Sequence, residues 1–172
     1  MNNILEVARG VLATTPFRWE SLVQALPVEL LNRQPAVGQW SALECLQHLL
    51  DTEPIFSARI GYFLGGQDFP AFDPDTQGTP LSARSAPQEM AARFTRLRKD
   101  SLASLARVAP KDLDRRVRHA ELGPVTLGEM VHEWAAHDFN HTVQAERALM
   151  QPFILGSGPW EFYFKDHLVQ QK

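Results

Sequence analysis

Apolar residues recur at spacings of three and four along most of the chain and almost nowhere alternate with polar ones. That period matches one face of an α-helix, and its persistence predicts an all-α protein. A helix with one apolar stripe must bury it against another, so several such helices in sequence imply a bundle.

The expected helix starts are legible as capping chemistry. Ser41-Ala42-Leu43-Glu44 and Thr126-Leu127-Gly128-Glu129 have the capping-box form, in which a hydroxyl and a carboxylate satisfy free backbone N–H groups reciprocally. Ser85-Ala86-Pro87-Gln88 is a third version, and Thr15-Pro16 a fourth start signal. These signals predict helical regions over about 3–26, bent or broken at Pro16, then about 42–64, 86–108 and 127–150. A short turn is expected at Val28 to Asn32. Gly65, Gly66, Pro70, Pro74, Gly78 and Pro80 mark the main loop, and Pro110, Gly123 and Pro124 a second connection. The segment after Pro152, rich in glycine and aromatics, is expected to pack across the bundle. Four long amphipathic helices predict a four-helix bundle, with short additional helices and a C-terminal tail. At 172 residues the chain is expected to be a single domain over 1–172.

A net charge of −3 carries no basic footprint for nucleic acid. Arg93, Arg96, Arg98 and Lys99 cluster, as do Lys111, Arg115, Arg116 and Arg118. Interleaved acidic residues make solvated helix faces the expectation for both. The one cysteine, Cys45, excludes an intrachain disulfide and a cysteine-rich zinc site, and fits a reducing compartment. No apolar run approaches a membrane span, and Met1–Glu6 lacks the basic start and apolar core of a signal peptide. A cytoplasmic protein without membrane or nucleic-acid partners is the expectation.

The chemistry lies in the histidines. From Thr126 the apolar stripe is Leu127, Met130, Val131, Trp134, Ala145, Ala148 and Leu149, and His137 and His141 fall in its middle. Four residues apart, they share a helical face. Imidazoles facing a core need partners. An i, i+4 pair can offer two nitrogens to one divalent ion, or bond to carboxylates or backbone. Asp138 lies at the stripe's edge and Gln144 continues it. His132-Glu133 imitates the zinc-protease pattern His-Glu-x-x-His, but the next histidine comes five positions later and His132 projects away from the stripe. That reading is rejected. His48 lies toward the polar arc of its helix, with Glu44, Thr52 and Arg59, so periodicity alone predicts exposure. Interior Pro54 weakens that inference, and Glu53 falls on the apolar arc instead.

The segment Trp40-Ser41-Ala42-Leu43-Glu44-Cys45-Leu46-Gln47-His48-Leu49-Leu50-Asp51-Thr52-Glu53 resembles the first signature of the DinB-like family. Glu121 to Glu129, followed by Trp134-Ala135-Ala136-His137-Asp138-Phe139-Asn140-His141, is similar to its second. Leu30 to Pro35 and Phe72-Asp73-Pro74-Asp75 fit the family's connections. The resemblance implies a bundle of up-down-down-up order with a metal held by His48, His137 and His141. It also implies kinship with thiol S-transferases and isomerases that use low-molecular-weight thiols. The family name is historical and establishes no repair function.

Three neutral imidazoles leave coordination positions for water or substrate, the pattern of a catalytic metal. Zinc and nickel lead on ligand chemistry, with iron and manganese as alternatives. Glu44, Glu53 and Asp138 are candidates for a general base or for orienting a ligand histidine. Cys45 is read as a small buried hydrophobe rather than a catalytic thiol. Trp40 and Trp134 either wall the pocket or belong to the core. Arg59 either meets an anionic substrate or pairs with a surface carboxylate. The leading expectation is a metal-dependent transferase or hydrolase acting on a small molecule, with a thiol cofactor and homodimer formation as further options. The alternatives are a non-catalytic metal-binding or stress-associated bundle, and an interaction module with a vestigial site.

Overall fold

Side-chain caps set where the long helices begin. In the computed structural model, which describes residues 3–70, 72, 78–79 and 86–169, the α-helices are α1 Ile4–Ala25, α2 Val28–Leu31, α3 Ala42–Gly65, α4 Pro87–Leu105 and α5 Leu127–Gly156. At the start of α3 the Ser41 hydroxyl accepts from the Glu44 N–H (3.3 Å), and the Ser41 N–H donates to the Glu44 carboxylate (2.7 Å). Thr126 and Glu129 repeat this capping box at the start of α5. α4 begins at Pro87 with Ala86 as an uncapped N-cap residue, and Ser85 lies outside the described residues. Ser41→Ala or Thr126→Ala is expected to cost about 0.5–2 kcal/mol. The urea midpoint reads this, and two unmoved midpoints would contradict the capping account.

Two apolar clusters fix the helix directions. One joins Leu5, Ala8 and Leu12 of α1 to Phe56, Ile60 and Phe63 of α3, Leu105 of α4, and Leu127, Met130, Val131 and Trp134 of α5. The other joins Trp19 and Val23 of α1 to Leu43, Leu46 and Leu49 of α3, Met90 and Phe94 of α4, and Ala145 and Leu149 of α5. The early half of α1 therefore sits beside the late halves of α3 and α4 and the early half of α5. That is the up-down-down-up order. Packing runs α1 to α4, α4 to α3, α3 to α5 and α5 back to α1, so α1 lies diagonal to α3.

Between the clusters lies a polar layer whose centre is Arg98. Its side chain is 1% exposed, which overturns the reading of the Arg93–Lys99 cluster as wholly solvated. All five guanidinium N–H donors are used. Nε and Nη2 donate to Glu53 (2.7 and 2.8 Å), Nη1 and Nη2 to Asp138 (2.6 and 2.9 Å), and Nη1 to the Leu12 carbonyl (2.8 Å). One side chain thus ties all four long helices. The Leu12 carbonyl is open to Arg98 because the residue four positions on is Pro16, which has no N–H to give it. The expected break at Pro16 is therefore absent. α1 is continuous, and the proline serves to free an acceptor.

Two local features depart from the sequence reading. The second connection contains a 3-10 turn, Pro110–Asp112, and an antiparallel hairpin of β1 Arg116–His119 and β2 Gly123–Thr126. The hairpin buries Val117 against the first cluster, and its turn closes through Gly123 at φ 76°, a left-handed conformation suited to glycine. Each strand is only four residues long, and Gly123 and Pro124 erase any alternating signal. α5 also continues through Pro152 to Gly156. The following 3-10 segment, Gly158–His167, is tied to α5 by Arg147 and Gln151, which donate to the His167 carbonyl. Its aromatics Trp160, Phe162 and Tyr163 face outward rather than packing across the bundle. Among the described residues no helix is long and apolar enough to cross a membrane.

Candidate metal centre

Antiparallel α3 and α5 bring His48, in the second turn after the Ser41 cap, opposite His137 and His141. One ligating atom from each of the three imidazoles lies within 4.8 Å of the other two. His48 Nε2 and His137 Nε2 approach to 2.9 Å. His141 turns its Nδ1 to the Gln144 side-chain oxygen at 3.0 Å, which as the Nδ1–H donor leaves its Nε2 an acceptor. His48 therefore does not follow its polar arc to solvent. Trp40 covers it, with ring centroids 5.0 Å apart, and stacks on His141 at 5.6 Å. Periodicity could not see this cover, because Trp40 precedes the helix and reaches back over its first turns. His132 is exposed, as expected.

The surroundings favour neutral imidazoles. Burial holds His48 down to about 4, with His141 adding to the effect and Asp51 opposing it. Burial likewise holds His137 down to about 3, assisted by His141, His48, Arg98 and Arg59. His141 is lowered by burial, against its hydrogen bond to Gln144 and the charge of Asp138. In the unfolded chain each titrates near 6.5. Between the folded and unfolded values the unfolded chain holds more protons, so stability rises with pH there. Metal-free protein is expected to keep its full histidine contribution above pH 6.5 and to lose it progressively toward pH 4. Urea midpoints of chelator-treated protein at pH 7.5 and pH 5 check this. A midpoint unchanged or higher at pH 5 would contradict neutral packing.

The donor set suits a divalent ion on grounds of structure. Two ring nitrogens face each other, a third is free nearby, and buried His137 Nδ1 has no hydrogen-bond partner. Uncharged imidazole nitrogens converging without a common protein donor are a chelating arrangement.

The other candidates separate clearly. Glu44 is engaged in the α3 cap. Glu53 and Asp138 are each 1% exposed and bonded to Arg98, so neither carboxylate stands open beside the histidines. Cys45 is fully buried, and burial pushes its thiol up to about 12, with Glu44 adding to the shift, which leaves it inert. Trp40 walls the site, whereas Trp134 belongs to the core, stacked on Phe56 at 5.2 Å. Phe56 in turn sets its ring edge against His137. Sequence reasoning missed Arg98, although a signal existed. Met90, Phe94, Arg98, Ser101 and Leu105 share one stripe of α4, with the arginine in its middle. Gln144, which holds His141, also borders a broad groove of about 770 Å³ with Gln39, Asn140 and Lys165.

Fold and site together define a four-helix bundle carrying a three-histidine cluster between two antiparallel helices. The chain belongs to the DinB superfamily, whose sequence profile matches residues 12–145. Among solved structures it is similar to YfiT from Bacillus subtilis, described as a probable metal-dependent hydrolase with an unusual four-helix bundle topology. The two share 18% identity at a TM-score of 0.74, over 87% of each chain. No protein with a curated description matches the chain.

Proposed function

We propose that the chain binds one divalent metal ion through His48, His137 and His141, and acts on a small molecule as a hydrolase or a thiol-dependent transferase. The observation that carries the reading is the convergence of three imidazole nitrogens within 4.8 Å, with His48 and His137 at 2.9 Å. Membership of the DinB superfamily and the hydrolase description of YfiT support it. Zinc or nickel suits three imidazoles best, with iron or manganese as alternatives. When bound, such an ion supplies Lewis acidity that lowers the pKa of water or a thiol at neutral pH.

The chain's own residues do the positioning. Gln144 accepts from His141 Nδ1 and so fixes that ring's tautomer and direction. Trp40 closes one side of the site. The groove beside Gln144 gives a small substrate an approach along α5. Turnover of activated esters and of electrophiles with added low-molecular-weight thiols, measured with zinc or nickel and with chelator, tests the reaction. Metal-dependent turnover lost in His137→Ala is the expected result. A second reading, a metal-binding bundle without turnover, draws on the engagement of both Glu53 and Asp138 by Arg98, which leaves neither of these two carboxylates open as a base. Metal bound tightly with no turnover on any such substrate would favour it.

A further inference from the structure

Arg98 is buried in this bundle and Arg59 half-buried, and the two are treated in opposite ways. Arg98 uses every donor it has, whereas Arg59 makes no hydrogen bond among the described residues. Only 11% of the Arg59 side chain is exposed, and its Nε is buried without a partner. Its guanidinium lies over the Phe69 ring at 4.9 Å and the Phe56 ring at 5.6 Å, and meets Glu133 only at 3.8 Å. Glu133 offsets the charge from 3.8 Å but leaves Nε without an acceptor, a cost that a hydrogen-bonding anion would relieve.

A cavity of about 160 Å³ adjoins that guanidinium. Phe69, Val125 and Met130 give it apolar walls, and Leu122, Glu133 and Glu129, whose carboxylate is held by Thr126, stand at its exposed rim. His119 supplies a second donor. Its Nδ1 accepts from the Glu121 and Leu122 N–H groups at 3.1 and 3.3 Å, so the ring proton lies on Nε2. The β1–β2 turn therefore fixes a histidine with a donor to spare on the cavity wall. A void of about 150 Å³ accepts a benzene ring, which sets the size of the apolar body that fits.

We infer that this cavity, between Arg59 of α3 and His119 of the hairpin, is a binding site for a small monocarboxylate with an apolar body the size of a phenyl ring. Arg59 and His119 Nε2–H hold the carboxylate, and Phe69, Val125 and Met130 pack the body. Glu133 and Glu129 at the rim repel a dianion more strongly than a monoanion, which sets a monocarboxylate apart from phosphate. Phe56 lies against both Arg59 and His137, and none of His48, His137 and His141 lines this cavity, which adjoins the histidine cluster without including it.

Calorimetric titration with benzoate, benzamide and inorganic phosphate tests the inference on the unaltered protein. Saturable 1:1 binding of benzoate is expected, with benzamide and phosphate at least tenfold weaker. Arg59→Gln should weaken benzoate at least tenfold while leaving the circular dichroism spectrum unchanged, and Arg59→Lys should retain part of the affinity. His141→Ala should leave benzoate binding intact, which separates this site from carboxylate capture by a metal. Absence of saturable binding would overturn the inference. So would equal affinity for benzoate and benzamide, displacement of benzoate by phosphate at equal concentration, or loss of binding in His141→Ala alone.

Discussion

Arg98→Met is expected to destabilise the fold by about 3–5 kcal/mol, because it leaves Glu53 and Asp138 buried without their cation. In a chain of this size that lowers Tm by about 6–20 °C. Part of the loss has an identifiable remedy. Without Arg98 the Leu12 carbonyl has no donor, since Pro16 cannot supply one. Adding Pro16→Ala restores an N–H four residues on, and the double variant should be more stable than Arg98→Met alone. In the presence of Arg98, Pro16→Ala should help little or harm, because the acceptor is already satisfied. Replacing Arg98, Glu53 and Asp138 together by apolar residues of similar volume should recover much of the stability, as whole buried ionic groups often can be exchanged at small cost. An Arg98→Met protein whose Tm stays within about 2 °C of the parent would contradict the role given to this network.

Metal addition is the second large expected effect. A ligand that binds only the folded state at a free concentration of about 100 times its Kd stabilises by about 2.7 kcal/mol. For this chain that raises Tm by about 5–11 °C. The rise should vanish in His48→Ala, His137→Ala and His141→Ala, each of which removes a proposed ligand. Gln144→Ala should keep metal binding but weaken it by about 10–100-fold, since Gln144 only orients His141. A Gln144→Ala protein equal to the parent would mean that the contact is incidental.

Legibility in the sequence followed the range of the interaction. The Ser41 and Thr126 caps are local, so their positions were readable to the residue. The shared face of His137 and His141 is also local, a matter of helical spacing. His48 is different. Its exposure depends on Trp40 and on α5 lying across its arc, and a single helix's pattern contains neither. Only the resemblance to the DinB-like family placed it with the other two. Arg98, Glu53 and Asp138 each carried a faint sign, a charge set within or beside an apolar stripe. Read one helix at a time, Arg98 belongs to a solvated cluster, and Glu53 and Asp138 are candidates for a base or for orienting a ligand histidine. Read together, a guanidinium and two carboxylates at corresponding depths of three helices form one closed set. The hairpin stayed hidden because strands of four residues with glycine and proline in one of them leave no period to detect.

Metal content is the most direct measure of the three-histidine centre. Untagged protein, purified without chelator and dialysed after incubation with zinc or nickel, should retain one divalent ion per chain at neutral pH. His137→Ala, with its helical spectrum intact, should retain none under the same dialysis. A parent protein that comes through dialysis empty, or a His137→Ala protein that still carries its ion, would contradict the account.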